Sequence, residues 1–64
     1  MRTFHTPEHV RVLNESVAAH LDPHTAVAAW FNDVSYDAVT REQRIQAKNA
    51  NYIYLYSNSS KLGA

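Results

Sequence analysis

The sequence predicts an all-α fold, a small three-helix bundle formed as a single unit by residues 1–64. Three helix-start patterns are spread along the chain, apolar residues recur at helical spacing after them, and no second strand-like segment is available to complete a sheet. With 45% hydrophobic and 19% charged residues, the composition is that of a globular domain and not of a disordered tail. The lack of cysteine excludes a disulfide scaffold and a thiolate zinc site.

The first helix is predicted over residues 7–21. Thr6 is followed by a proline at the first helical position and an acidic residue in the first turn, a common N-terminal pattern. The apolar residues that repeat at helical spacing should form its buried stripe: Val10, Leu13, Val17 and Leu21. We expect the helix to end at about Leu21, because Pro23 cannot continue it.

The second helix is predicted over residues 23–32 by the same N-terminal pattern. Asp22 should cap it, and Pro23 occupies the first helical position. Four apolar residues should form its buried stripe: Val27, Trp30, Phe31 and Val34. We expect Trp30 to be the main anchor of this helix against the others, and residues 35–39 to form a connection.

The third helix is predicted over residues 41–57, after a capping box made by Thr40 and Gln43. The alternative is an edge strand over residues 52–56, because this stretch is rich in tyrosine and isoleucine. We favour a continuous helix, since no glycine or proline interrupts the preceding helical stretch and a lone strand would have no partner. The polar segment 57–60 should end the helix.

The zero net charge hides an asymmetry between two parts of the chain. Residues 1–37 carry two arginines against five carboxylates, whereas residues 38–64 carry four basic residues against one glutamate. Such an asymmetry is typical of a protein that meets an anionic ligand through its basic part, although a solvated helix face gives the same pattern.

Four residues of the third helix are spaced four apart and should form one ridge: Arg44, Lys48, Tyr52 and Tyr56. At a rise of about 1.5 Å per residue the ridge is about 18 Å long, with two cations followed by two aromatic rings. Cationic side chains bind phosphate oxygens and rings stack on sugar and base, so the ridge suits a nucleoside triphosphate. The alternative is that both rings belong to the core, because Ile45 repeats with them at helical spacing.

The order of these residues resembles motif B of the family A DNA polymerases, the bacterial polymerase I type. That motif reads R-x3-K-x3-F-x3-Y-G on the O helix of the polymerase fingers, and residues 44–56 read RIQAKNANYIYLY. Two upstream segments are similar to the same family: Asp22 to Ala26 matches D-x-H-T-A, and Val39 to Arg44 matches V-T-x-E-Q-R. Asn51 matches an asparagine that is common before the family's aromatic residue. The resemblance covers about residues 13–60.

The resemblance implies a fragment of the fingers that binds the incoming deoxynucleoside triphosphate. Arg44 and Lys48 would bind the triphosphate, and Lys48 would act catalytically by neutralising or protonating the departing pyrophosphate. His24, at a helix N-terminus, would add a phosphate contact. Tyr52 would lie against the sugar and base of the nucleotide, and Tyr56 beside the templating base.

Three positions depart from the family pattern. Ile53 and Ser57 stand where glycines are usual, which puts helix opening and template placement in doubt, and Tyr54 is bulkier than the usual aliphatic residue. The family's palm aspartates would fall before the first residue and far beyond the last. We therefore expect no metal site and no cofactor in this chain, Mg²⁺ in the complete polymerase, and no activity of the chain alone.

The complete enzyme would need a palm and thumb polypeptide as its partner and would bind primer-template DNA. The alternative function is a non-catalytic helical binding protein derived from such a fragment. His5 and His9 are four apart but have no third ligand near them in sequence, so we expect no metal there. The chain has no apolar run long enough for a membrane span and no signal peptide, so we expect a cytoplasmic protein of a bacterial or phage-infected cell.

Overall fold

The computed structural model describes the backbone of residues 2–63 and the side chains of residues 2–55. Within this part of the chain there are three helices, α1 (Pro7–Ala18), α2 (Pro23–Asn32) and α3 (Arg41–Gly63), and a short 3-10 turn (Tyr36–Ala38) before α3. The predicted all-α three-helix bundle is confirmed, and the alternative of a strand over residues 52–56 is excluded because α3 includes them. α2 lies in the middle and contacts both other helices. None of the described helices is long and apolar enough to cross a bilayer.

Each helix begins with the capping contact that its sequence predicts. Thr6 Oγ1 accepts a hydrogen bond at 3.2 Å from the backbone N–H three residues further on. Asp22 Oδ2 accepts one from the backbone N–H of Thr25 at 3.0 Å. In the capping box of α3, the N–H of Gln43 donates to Thr40 Oγ1 at 3.2 Å, and the N–H of Thr40 donates to Gln43 Oε1 at 3.0 Å. These bonds satisfy amides that have no partner inside a helix.

Two of the predicted helix ends are wrong. α1 ends at Ala18 and not near Leu21, because His20 takes a left-handed conformation with φ of 61° and the N–H of Leu21 then bonds to the carbonyl of Ser16 at 2.9 Å. α3 continues past residue 57 to Gly63, since no proline or glycine stands in the polar segment. The end of α2 is as predicted, and Asp33 with φ of 55° closes it in the same left-handed way.

The core is built mainly from small side chains of α2 and α3. Its central members are almost completely buried: Leu13, Val27, Ala28 and Ala47. Small residues let two helices approach closely. A short polar side chain of α3 can therefore reach the backbone of α2.

The predicted apolar stripes are only partly buried. On α1, Leu13 is buried, whereas Val17 and Leu21 are 51% and 46% exposed. The reason is that α1 turns His9, Leu13 and Ser16 inward, a face at i, i+4 and i+7 that includes two polar residues. Burying a polar side chain is tolerated when it is hydrogen-bonded. Ser16 Oγ, for example, donates to a backbone carbonyl of its own helix at 2.7 Å.

Five rings from the leading segment and all three helices form what we call the aromatic cluster: Phe4, His9, Trp30, Phe31 and Tyr54. Phe4 stacks on Phe31 with ring centroids 3.9 Å apart, and His9 stacks on Trp30 at 5.9 Å. Trp30 is half-buried, and its indole N–H donates to Glu8 Oε1 at 3.0 Å. Trp30 therefore packs at the border of the core and not at its centre.

Candidate functional site

Asn51 of α3 connects all three helices through its buried side chain. Its Oδ1 lies 2.6 Å from Nε2 of His9 on α1. Its Nδ2 lies 3.1 Å from Nδ1 of His24 and 3.5 Å from the carbonyl oxygen of Pro23, both on α2. Both Asn51 and His9 are fully buried. A buried amide whose partners come from different helices fixes the placement of those helices relative to one another.

The donor and the acceptor of each hydrogen bond around Asn51 can be assigned, from the backbone of His5 to the ring of His24. The backbone N–H of His5 donates to Nδ1 of His9 at 2.8 Å, so the ring proton of neutral His9 sits on Nε2 and is donated to Asn51. Asn51 Nδ2, which also faces the carbonyl of Pro23, is then the donor toward Nδ1 of His24. His24 consequently keeps its own proton on Nε2, where it is available as a hydrogen-bond donor.

His24 belongs to a second group that we call the charged cluster: Asp22, His24, Arg44 and Lys48. Partial burial lowers the pKa of His24 below its ordinary value, the positive charges of Arg44 and Lys48 lower it further, and Asp22 opposes them. Asp22, which caps α2, forms an ion pair with Arg44. Together with the hydrogen bond between His24 and Asn51, this pair places the start of α2 beside the first turns of α3. His24, Arg44 and Lys48, which the polymerase resemblance assigns to one triphosphate, therefore lie on adjoining segments of α2 and α3.

The two cations of this cluster differ in their surroundings. Lys48 is exposed, and none of the described side chains, residues 2–55, forms an ion pair with it. Arg44 has an anionic partner: its Nε lies 2.8 Å from Oδ2 of Asp22, and a second guanidinium nitrogen lies 3.4 Å from Oδ1. The sequence pattern indicates Asp22 only as a helix cap and carries no signal for this ion pair.

The ion pair changes the acidity of both groups. Partial burial would raise the pKa of Asp22, but hydrogen bonds from Arg44 and Thr25 together with the charge of Arg44 hold it at about 2. The hydrogen bond and the charge of Asp22 in turn raise the pKa of Arg44. At neutral pH the pair is therefore a carboxylate held against a guanidinium, and the carboxylate occupies positions that a phosphate oxygen could take.

The interpretation of the ridge rings as core residues is wrong for Tyr52. Its side chain is 52% exposed and that of Ile45 is 44% exposed, while the buried residues of α3 up to residue 55 are Ala47, Ala50 and Asn51. Tyr52 follows Lys48 by four residues, so the two side chains lie one turn apart on one face of α3. The side chain of Tyr56 lies outside the described residues.

The positions that depart from the polymerase pattern have different environments. Ile53 is 57% exposed, so a side chain in place of the usual glycine points to solvent. Tyr54 is half-buried and packs edge-on against His9, with its hydroxyl 3.2 Å from Nδ1 of His5. The bulk of Tyr54 therefore serves the aromatic cluster. Ser57 lies beyond the described side chains.

Metal chemistry has no ligand set among the described residues. No three carboxylate or imidazole groups in that part of the chain come close enough to hold an ion. The pair His5 and His9 is engaged otherwise, since Nδ1 of His9 accepts the backbone N–H of His5 and Nε2 bonds to Asn51. Asp22, the carboxylate of the charged cluster, is already bonded to Thr25 and Arg44.

The arrangement can bind an anion. Two cations, a neutral imidazole donor and the N-terminus of α2 lie together, and all of these favour negative charge.

Comparisons with known proteins add no family to this description. No protein-family model, no curated protein and no solved structure matches the chain. The resemblance to the family A polymerases rests on the sequence motifs alone.

Proposed function

We propose that this chain is a fingers-like fragment of a family A DNA-directed DNA polymerase, and that it binds the triphosphate of an incoming deoxynucleotide. One observation supports this most directly: the start of α2, which carries His24, packs along the turns of α3 that carry Arg44 and Lys48, as the contacts of Asp22 with Arg44 and of His24 with Asn51 show. His24, Arg44 and Lys48 are the three positions at which the polymerase motifs place phosphate-binding residues. Their convergence is what a single triphosphate needs.

The three groups would each contact a different part of the triphosphate. Lys48, exposed and four residues after Arg44, supplies a mobile ammonium group one helical turn further along α3. His24 offers Nε2–H as a neutral donor, because Asn51 occupies its Nδ1. In the complete polymerase, Lys48 would also neutralise or protonate the pyrophosphate as it leaves, and the Mg²⁺ would be held by carboxylates of the missing palm.

Tyr52 would contact the sugar and base of the same nucleotide. It is exposed one turn beyond Lys48, on the face of α3 that carries the cations. An aromatic ring in this place adds stacking energy that does not depend on the base sequence. Tyr56 is proposed for the template side on the motif alone.

A second candidate function is a self-contained helical binding protein that descends from a polymerase fragment. The supporting observation is the participation of the N-terminal segment, which lies outside the polymerase resemblance, in the packing. Phe4 stacks on Phe31, and His9 is fully buried against Asn51. A piece cut from a larger enzyme would have no need of such contacts.

NMR titration of the 64-residue chain with inorganic triphosphate and with a deoxynucleoside triphosphate tests the binding. A charge-assisted contact to phosphate contributes about 1.5–3 kcal/mol, so Lys48→Ala should weaken both ligands by roughly 10- to 150-fold. Tyr52→Ala should weaken the deoxynucleotide and leave inorganic triphosphate nearly unchanged. Arg11→Ala, which removes an exposed arginine of α1, is the matched control and should change neither affinity.

Shifts spread over the whole surface, or equal effects of Lys48→Ala and Arg11→Ala, would contradict a triphosphate site. The two candidate functions are separated by adding a palm and thumb polypeptide of a family A polymerase. Restored primer extension that depends on Lys48 supports the fragment, whereas triphosphate binding without any restored extension supports the self-contained binding protein. The chain alone should not extend a primer, because the metal-binding carboxylates are missing.

A further inference from the structure

The carboxylate of Asp22 is held in place by contacts on several sides. Oδ2 accepts hydrogen bonds from the backbone N–H and the hydroxyl of Thr25, as the cap of α2. The backbone N–H of Asp22 donates to the hydroxyl of Tyr36 at 3.1 Å, which ties the residue to the 3-10 turn. The side chain is two-thirds buried. Asp22 is therefore preorganised, and it does not have to lose conformational freedom to meet Arg44.

Arg44 meets this carboxylate with two nitrogens, at 2.8 Å and 3.4 Å. A guanidinium uses the same two-nitrogen geometry to bind a phosphate group, so Asp22 and a phosphate compete for the same donors. Lys48 and His24 are not occupied by a carboxylate in this way: the ammonium forms no ion pair within residues 2–55, and Nδ1 of the imidazole is hydrogen-bonded to the amide of Asn51. Only one of the three phosphate-binding groups is blocked.

We infer that Asp22 is an internal competitor that holds Arg44 away from anionic ligands, so that a triphosphate must displace the carboxylate before Arg44 can bind it. This inference rests on the proposed function, because it assigns a regulation to the same site. Asp22 lowers the affinity of the unliganded chain for simple anions. A ligand with several phosphates can first bind Lys48 and His24 and then take Arg44 from Asp22, so the competition favours triphosphate over monophosphate.

The test is Asp22→Asn, studied in the complete 64-residue chain with inorganic triphosphate as the probe. Asparagine caps a helix as well as aspartate does, so the variant keeps the start of α2 and removes only the charge. We expect triphosphate to bind about 3- to 5-fold more tightly, since partly exposed ion pairs contribute little and a two-point pair lies at the upper end of that range. Inorganic phosphate should gain by a larger factor than triphosphate.

Two controls separate competition from a general loss of negative charge. Glu42→Gln removes the same charge two residues before Arg44, on nearly the opposite side of α3, and should change the affinity less than about 2-fold. In the Arg44→Ala background, Asp22→Asn should give no gain at all. An equal gain with and without Arg44 would overturn the inference, because it would show an unspecific electrostatic effect.

The remaining outcomes distinguish the inference from the proposed function. If Asp22→Asn binds triphosphate more weakly than the natural chain, Asp22 positions Arg44 for the ligand and the inference is wrong, while the proposed function stands. If the natural chain binds no triphosphate and Asp22→Asn does so through Arg44, the competition is real and the proposed function of the natural chain fails. If neither binds triphosphate, both fail.

Discussion

The aromatic cluster and the charged cluster lie on either side of Asn51 and differ in how completely their polar groups are hydrogen-bonded or paired within the fold. In the aromatic cluster the polar atoms are satisfied by one another: Nδ1 of His9 accepts a backbone N–H, and Nε2 bonds to Asn51. In the charged cluster, Lys48 is exposed and His24 keeps Nε2 as a donor. The first arrangement stabilises the bundle, whereas the second leaves positive charge available. This difference separates residues that maintain the fold from the residues that we propose to bind a triphosphate.

Asn51→Ala should have the largest effect on stability of any single change at this boundary. It removes the bonds to His9 and His24 and leaves a buried ring nitrogen without a partner, so the free energy of unfolding should fall by about 2–4 kcal/mol. Urea denaturation followed by circular dichroism measures this loss. Asn49→Ala, an exposed neighbour on α3, should change it by less than about 0.5 kcal/mol. Equal effects of the two variants would mean that Asn51 does not connect the helices.

Trp30→Ala should come next and tests the aromatic cluster alone. A fully buried tryptophan costs about 3–5 kcal/mol when truncated, but Trp30 is only half-buried, so we expect about 2–3 kcal/mol. Trp30→Phe keeps a ring against His9 and loses the hydrogen bond to Glu8, and should cost about 1 kcal/mol or less. The same denaturation experiment measures both. An unchanged midpoint for Trp30→Ala would place this ring outside the packing of the bundle.

The free energy of unfolding should depend on pH through two groups of the charged cluster, His24 and Asp22. Since the pKa of folded His24 lies below its ordinary value, the unfolded chain binds more protons, and stability should decrease as the pH falls through about 6.5. A second loss should follow as the pH falls from 3.8 toward about 2, where Asp22 becomes protonated in the folded chain. Melting temperatures measured from pH 8 to pH 2 show both steps.

His24→Gln should remove the part of the first step that His24 contributes. The control is His20→Asn, which replaces an exposed histidine in a left-handed position with another residue that tolerates it. The control should lower or raise the whole curve without removing that step. An unchanged step in His24→Gln would assign the pH dependence to another group.

Lys48→Ala should have the smallest effect on stability, despite its large expected effect on triphosphate binding. Its side chain is exposed and has no ionic partner among residues 2–55, so the free energy of unfolding should change by less than about 0.5 kcal/mol. Calorimetry of the natural chain and the variant checks this. A loss above 1 kcal/mol would mean that Lys48 belongs to the fold and that the separation between the clusters is incomplete.

Helix starts were predictable from the sequence because their signals are local. Thr6, Asp22 and Thr40 each accept the hydrogen bond that their residue type and position indicate. The end of α1 was not predictable, because the left-handed residue that closes it is His20 in place of the usual glycine. A histidine at this position does not indicate in the sequence that a helix ends.

The burial of polar side chains and the pairing of residues far apart in the chain could not be predicted from the sequence either. His9 and Asn51 are polar residues that do not belong to the predicted apolar stripes, and each is buried with a hydrogen bond to the other across 42 residues of sequence. The pair Asp22 and Arg44 depends in the same way on the packing of α2 against α3. The polymerase resemblance predicts that His24, Arg44 and Lys48 bind one triphosphate, and that stays a prediction. It does not predict the occupation of Arg44 by Asp22.

The alanines of the core have a consequence for the charged cluster. Ala28 and Ala47 are fully buried, so a larger side chain at either position would push α2 and α3 apart. His24 lies on α2, whereas Arg44 and Lys48 lie on α3. The two methyl groups therefore help to set the distance from His24 to Arg44 and Lys48.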